Sequence, residues 1–224
     1  MKFAVIGLGS FGSALSRELA TSGHEVIAVD TDENHIRDLR EIVTMAAVAD
    51  GTEPEALAQL GVAAVDVALI TIGEGFEASL MITAHCQKLG VPRVYTRVIN
   101  GVHEQLLDLM KVSGKIHVES LAAASFGRQI TNEAVRRYFG IDENHAIVEI
   151  EVPGELAGKT LAEADFRKRH RLNVVTIRRR VGDGMGEEGY DLIGTPAPDF
   201  RLAKGDRLIV FGRLDDIGDF CGQG

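Results

Sequence analysis

Lys2-Phe3-Ala4-Val5-Ile6-Gly7-Leu8-Gly9-Ser10-Phe11-Gly12-Ser13 decides the reading of this chain. A short apolar run enters Gly-x-Gly-x-x-Gly and continues into a helical pattern, which is the opening of a dinucleotide-binding βαβ unit. Each glycine answers its own steric demand. Gly7 permits the tight turn off the strand, Gly9 leaves no Cβ between backbone and pyrophosphate, and Gly12 lets the helix lie close to the strand. Phosphates then rest on the exposed N–H groups that begin the helix, around Ser10, Phe11, Gly12 and Ser13.

The segment that follows strengthens this reading. After a helix over Ser13 to Thr21 comes a second strand, Glu25-Val26-Ile27-Ala28-Val29, ending at Asp30, at the spacing of about 20 residues that the fingerprint expects. A carboxylate there accepts both ribose hydroxyls of an adenosine and repels a 2′-phosphate, so NADP is disfavoured. A glycine turn alone would be weak evidence; strand, spacing and acid together point to a nucleotide site.

Composition sets outer bounds. With 224 residues there is room for one large domain or a large and a small one. A hydrophobic share of 45% and a charged share of 25% describe an ordinary water-soluble chain. No apolar run approaches the ~20 residues that cross a bilayer, and the N-terminal apolar stretch is too short for a secretory signal. A cytoplasmic protein is expected, held at a membrane only by a partner. The net charge of −9 argues against nucleic acid, which needs a concentrated positive surface. The basic runs Arg167-Lys168-Arg169-His170-Arg171 and Arg178-Arg179-Arg180 read as solvated surface or as a place for an anionic ligand. Cys86 and Cys221 lie far apart with no Cys-x-x-Cys, which suits a reducing compartment.

Strand and helix patterns alternate through about 140 residues, which calls for a parallel sheet with helices on both faces. Helix Glu33 to Glu41, strand Met45 to Ala49, helix Glu53 to Leu60, strand Val67 to Thr71 and helix Glu77 to Leu89 follow in turn. Strand Arg93 to Arg97, helix His103 to Met110 and strand Lys115 to Val118 complete a doubly wound α/β sheet. The strand ends Gly7, Asp30, Asp50 and Thr71-Ile72-Gly73 gather along its carboxyl edge, where open α/β sheets bind ligands. A longer helix from Glu119 carries Ala123, Phe126, Ile130, Ala134 and Tyr138 at helical spacing, a stripe suited to a second subunit or to its own sheet. Phe139 to Asn144 reads as a linker, giving a first domain over 1–140 and a smaller α+β domain over 145–224. In the latter, strand Ala146 to Val152, helix Leu161 to Arg169, strand Asn173 to Arg179, a glycine-rich loop Gly182 to Gly189 and strands around Tyr190 to Ile193 and Arg207 to Phe211 are expected.

Catalytic constellations are hard to find. A nicotinamide enzyme needs a substrate region with an acid or base near the hydride, and the second domain is too small and too far along the chain to supply it. His103-Glu104-Gln105-Leu106-Leu107 has Leu107 where a zinc-protease helix needs its second histidine. No Gly-x-Ser-x-Gly elbow occurs. Gly158-Lys159-Thr160 lacks the P-loop's first glycine, because Pro153 stands there without an N–H to offer. Thr160 is better read as a helix cap.

Several segments together resemble a known family. Phe3 to Gly12, Val29-Asp30-Thr31-Asp32-Glu33, Ala49-Asp50-Gly51-Thr52, Leu69 to Gly73, Tyr95-Thr96-Arg97 and Ile116-His117-Val118-Glu119 resemble the RCK (regulator of potassium conductance) domain of Trk and Ktr potassium-transporter regulators. Gly158-Lys159-Thr160-Leu161 and Lys204-Gly205-Asp206-Arg207-Leu208 resemble its companion C-terminal domain. The resemblance covers nearly the whole chain and implies a regulator that senses nucleotides without catalysis.

By position it implies that Gly7, Gly9 and Gly12 face the phosphates and Asp30 the ribose, with Ser10, Phe11 and Thr31 also at the cofactor site. Asp50, Gly51 and Thr52 would border the adenine, and Thr71, Gly73 and Arg97 would edge the site, with Ile72 among the cofactor-binding residues. It also implies a divalent cation at Glu119 between nucleotide-loaded subunits, although a glutamate opening a helix is favoured by the dipole without any metal. Some relatives place arginine where this chain has Ser10, so ATP or ADP and NAD or NADH all stay open as the ligand.

The implied partners are a second copy, pairing into a tetramer or an octameric ring, and an integral-membrane potassium-translocating subunit, with cyclic di-AMP at the C-terminal domain. A small NAD-dependent oxidoreductase is the alternative, and a transcriptional sensor lacks any visible DNA-reading segment.

Overall fold

The computed structural model describes residues 1–131, 134–181 and 189–222, which divide into two compact units, Met1–Glu119 and Ser120–Gly224. The first unit alternates strand and helix. Its elements are β1 (Lys2–Ile6), α1 (Ser10–Thr21), β2 (Glu25–Asp30), α2 (Glu33–Arg37), β3 (Met45–Val48) and α3 (Pro54–Gln59). They continue with β4 (Val67–Ile70), α4 (Phe76–Lys88), β5 (Arg93–Arg97), α5 (Gly101–Leu109) and β6 (Gly114–Ile116). α6 (Val118–Thr131) opens at its end.

All pairings in this sheet are parallel, in the order β3-β2-β1-β4-β5-β6. The chain winds one way from β1 to β3 and the other way from β4 to β6, so a crevice opens between β1 and β4 at their carboxyl ends. Side-chain alternation builds a core on each face. Val5, Val26, Ala28 and Leu69 pack with Ile36, Leu39, Leu15 and Leu19 on one side. Ala4, Ile6, Val29, Ala68 and Ile70 pack with Leu57, Ile82 and Cys86 on the other. Strands buried on both faces read as continuous apolar runs, as Val67-Ala68-Leu69-Ile70 does.

In the second unit, antiparallel pairing gives the order β10-β9-β11-β8-β7. The strands are β7 (Val135–Gly140), β8 (His145–Glu151), β9 (Asn173–Arg180), β10 (Tyr190–Leu192) and β11 (Arg207–Arg213). One face carries the core: Val148, Ile150, Ile177, Leu208 and Val210 meet Ala164, Phe166, Ile217 and Phe220 from α7 (Leu161–Ala164), α8 (Phe166–Arg169) and α9 (Leu214–Cys221). On the other face Glu149 is only 3% exposed, its carboxylate within 3.1 Å of Arg207, 3.6 Å of Arg178 and 3.5 Å of Arg137.

Three local readings are corrected by the structure. The helix expected to run from Glu119 through Tyr138 ends at Thr131, Ala134 lies in a turn, and Tyr138 and Phe139 belong to β7. The segment read as a linker is the turn of the β7–β8 hairpin, in which Asp142 Oδ1 accepts from Asn144 N at 2.7 Å and from His145 N at 2.8 Å. The single helix expected over Leu161 to Arg169 breaks at Asp165, whose φ of 46° puts it in the left-handed region. Thr160 caps α7 as expected, in a reciprocal box: Thr160 Oγ1 accepts from Glu163 N at 3.2 Å, and Glu163 Oε2 accepts from Thr160 N at 2.7 Å. Of the glycine-rich loop, residues 182–188 lie outside the described residues.

Leu208 is fully buried at the centre of the second core. Leu208→Ala is expected to lower the unfolding free energy by about 3 kcal/mol, from lost transfer energy and the cavity left behind. Urea denaturation followed by circular dichroism checks this.

Candidate functional site

The turn after β1 is built around a steric limit. Gly7 has a φ of +96°, and a Cβ on Gly12 would stand 2.0 Å from the Gly7 carbonyl oxygen and 2.6 Å from Thr71 Oγ1. Only glycine at position 12 lets α1 start this close to the strand. Thr71 Oγ1 then lies 2.5 Å from the Gly7 oxygen, and Ser13 Oγ donates to the Leu8 oxygen at 2.5 Å, so both sides of the loop are pinned. Gly9 sits at the helix N-terminus, where an added Cβ would meet nothing within 4 Å. No side chain caps α1, which leaves its first N–H groups to an incoming anion.

Asp30 fixes the same loop from the next strand. Its Oδ2 accepts from Leu8 N at 2.5 Å and its Oδ1 from Asp32 N at 2.8 Å, and it is 12% exposed. The carboxylate thus ties the end of β2 to the glycine turn and keeps an open side toward the crevice. Neighbouring His35, from α2, brings Nδ1 within 3.3 Å of Asp30 Oδ2.

The crevice at this edge has a volume of about 720 Å³. Gly7, Gly9, Asp30, Thr31, Gly51, Thr71, Ile72, Gly73, Arg97 and Glu119 are all on its wall. Ser10, Phe11, Gly12, Asp50 and Thr52 are not. Gly12 packs inward behind the turn, while Ser10 and Phe11 belong to the first turn of α1. Asp50 shapes the β3–α3 corner: its Oδ1 accepts from Thr52 Oγ1 at 2.7 Å and from Thr52 N at 2.9 Å. Those bonds, the side-chain one first, hold the Asp50 carboxyl below the usual aspartate range. Gly51 is buried beside Ile82 and Ile6, where a Cβ would come within 3.0 Å and 3.1 Å.

His35, Ala49, Glu74, Ala78 and Ile82 also line the crevice and were not anticipated. His35 and Glu74 follow expected site residues by a few positions, which was the available signal. No motif marks them.

At the far edge, Arg97 Nη2 pairs with Glu119 Oε1, and the guanidinium lies over Gly73, where a Cβ would be 2.7 Å from Nη1. The hydrogen bond from Arg97 holds the Glu119 carboxyl below its ordinary range. Among the described residues, no group of three or more His, Cys, Asp or Glu side chains has a metal-binding arrangement. The Glu119 carboxylate has Arg97 as a cationic partner.

Residues 3–117 match the TrkA-N domain and residues 145–222 the TrkA-C domain. The chain is 32% identical over 219 residues to the Ktr system potassium uptake protein C of Bacillus subtilis, covering 98% of this chain and 95% of that protein. The Ktr system potassium uptake protein A of Vibrio alginolyticus is 29% identical, covering 97% of this chain and 95% of that one. Among solved structures, the GsuK channel superposes with a TM-score of 0.62 at 19% identity, over 98% of this chain and 38% of that chain. The GsuK channel bound to NAD gives a TM-score of 0.52 at 20% identity, over 98% and 37%. The chain spans less than half of these channel structures, and they bear on the fold alone. With both domains matched in order and a full-length relative at this identity, the chain belongs to the TrkA-N and TrkA-C family that includes the Ktr system potassium uptake proteins.

Proposed function

We propose that the chain is a nucleotide-sensing regulatory subunit of a membrane potassium-uptake transporter of the Ktr or Trk type. The observation that carries this reading is the crevice itself, where uncapped α1 N–H groups and the Asp30 carboxylate face one space at the sheet's switch point. Gly9 opens the way for phosphates and Asp30 receives the ribose. Gly51, Thr71, Ile72 and Gly73 flank the remainder. The ligand is an adenine nucleotide, either NAD or NADH or else ATP or ADP.

The protein works by conformation and makes or breaks no bond. A bound nucleotide regulates only if it binds one arrangement of the assembly more tightly than another, since equal affinity shifts nothing. A second copy is the nearest partner, and Phe126 and Ile130 on α6, 63% and 62% exposed, support such pairing. Dimers of this kind are proposed to build a tetramer or an octameric ring beneath the potassium-translocating subunit, at the cytoplasmic side of the membrane. No helix among the described residues is long and apolar enough to cross a membrane; in this reading the pore is formed by the potassium-translocating subunit. A divalent cation shared between nucleotide-loaded subunits would draw ligands from the nucleotide and the second copy as well as Glu119.

The small NAD-dependent oxidoreductase is the competing reading, and turnover of carbonyl substrates with NADH would favour it. Mass spectrometry of the nucleotide released on denaturing the purified protein identifies the ligand. Asp30→Ala is expected to weaken that nucleotide about tenfold or more, the worth of a hydrogen bond to a charged acceptor. Calorimetry measures this, with circular dichroism confirming a folded variant, and unchanged affinity in a folded variant would refute the assignment.

For the second unit we propose cyclic di-AMP as a further ligand. A hollow of about 310 Å³ there is lined by Phe166, Arg167, Asn173, Val174, Pro196 and Pro198 among others. Arg167 donates from Nη2 and Nε to Asn173 Oδ1 at 2.6 Å and 2.9 Å, which sets a guanidinium beside apolar walls suited to a base. Arg167→Ala is expected to abolish cyclic di-AMP binding and leave adenine nucleotide binding at the first unit unchanged, as read by calorimetry with each ligand.

A further inference from the structure

The second unit carries a larger hollow, of about 650 Å³, at one end of its antiparallel sheet. The topology gathers several elements there. β8 and β9 finish at this end, β10 and β11 begin at it, and α9 brings Phe220 to the same place. Buried Ile150, Val152 and Phe220 give the hollow apolar walls. It shares no residue with the smaller hollow beside Arg167.

Two cations stand on its wall. Arg178 is matched by Glu149 and Arg179 by Asp206, whereas the exposed Arg180 has no carboxylate partner among the described residues. Its stem lies against the turn before β11: Gly205 has a φ of +87°, and a Cβ there would be 3.4 Å from Arg180 Cδ and 3.9 Å from Nη1. The bare backbone at position 205 thus serves twice, once for the left-handed turn and once to seat Arg180. Lys204, exposed on the same turn, likewise has no carboxylate partner among the described residues. Across the strand pair Tyr190 stands opposite Arg180, its ring braced by the Arg207 guanidinium 4.0 Å from the ring centre. The acid on the wall, Glu151, is matched by Arg136 at 3.1 Å.

We propose that this hollow binds a small organic anion, an apolar body bearing one carboxylate or phosphate head. Arg180 and Lys204 take the head, and Ile150, Val152, Phe220 and the Tyr190 ring take the body. Burial of the body drives association, while the cations replace the water that the head gives up. Neither half suffices, because exposed charges alone hold an inorganic anion weakly. The volume falls within the range of roughly 300–1,000 Å³ in which small ligands are bound.

Isothermal titration calorimetry of the full chain with decanoate and with decyl phosphate, each kept below micelle formation, tests the assignment. One-site binding is expected for at least one of them, and the tighter names the head group. Arg180→Gln and Lys204→Gln are each expected to weaken it about fivefold, and together about twentyfold, the scale of losing charge-assisted contacts that are partly solvated. Acetate and inorganic phosphate, which offer the heads without a body, are expected to give no measurable binding. Both substituted side chains are exposed, so the variants stay folded, which circular dichroism checks. The proposal is overturned if neither amphiphile binds, if the double variant keeps wild-type affinity within about twofold, or if acetate or phosphate binds as tightly as the longer anions. Each of these outcomes leaves the nucleotide reading of the first unit standing.

Discussion

The contact between Gly12 and the Gly7 carbonyl is the constraint on which the rest of the first unit depends. With a Cβ at position 12 only 2.0 Å from that oxygen, any other residue forces α1 away from the strand. The helix start is then fixed, its uncapped N–H groups face the crevice, and Thr71 on β4 closes on the same oxygen from the far side. Asp30 adds the third tie by accepting from Leu8 N. Three strands thus converge on one short turn. The groups that would hold a phosphate and a ribose are positioned by the same contacts that hold β1, β2 and β4 in register.

Much of this is legible in the sequence. Parallel strands buried on both faces write themselves as apolar runs, and the glycine spacing with Asp30 announces the switch point. Parallel pairing follows from the alternation of strands and helices. What escaped was decided by contacts rather than by local pattern. Ala123, Phe126 and Ile130 lie on α6, and Tyr138 continues their helical spacing, yet Tyr138 pairs with Val148 in a hairpin. A hydrophobic period of four residues cannot by itself tell a helix from a helix followed by a strand. The break at Asp165 was hidden for a similar reason, because aspartate tolerates the left-handed region without a glycine to mark it. α9 went unnoticed although Ile217 and Phe220 bury one side of it in the core, since its eight residues offer little more than two turns of pattern.

The basic runs show how far a charge reading reaches. Arg178, Arg179 and Arg180 read alike in sequence, but the strand alternation separates them. Arg179 pairs with the buried Asp206 at 2.7 Å and donates to the Arg201 carbonyl, which pins the turn before β11. Asp206 in turn accepts from Ala203 N at 2.9 Å, so the carboxylate is both an ion-pair partner and a turn residue. Arg178 faces Glu149 on the other side of the sheet. The apparent cluster is thus partly consumed within the fold, while Arg167 lies beside a hollow of the second unit.

The two edges of the crevice differ in kind. At Asp30 the carboxylate is held by two backbone N–H groups and is 12% exposed, so the fold fixes its geometry. At Arg97 the partner is a largely exposed carboxylate on the first turn of α6. An ion pair with one member that far into solvent is screened and costs little to break, whereas a carboxylate tied to two backbone groups cannot move without moving the ends of β1 and β2.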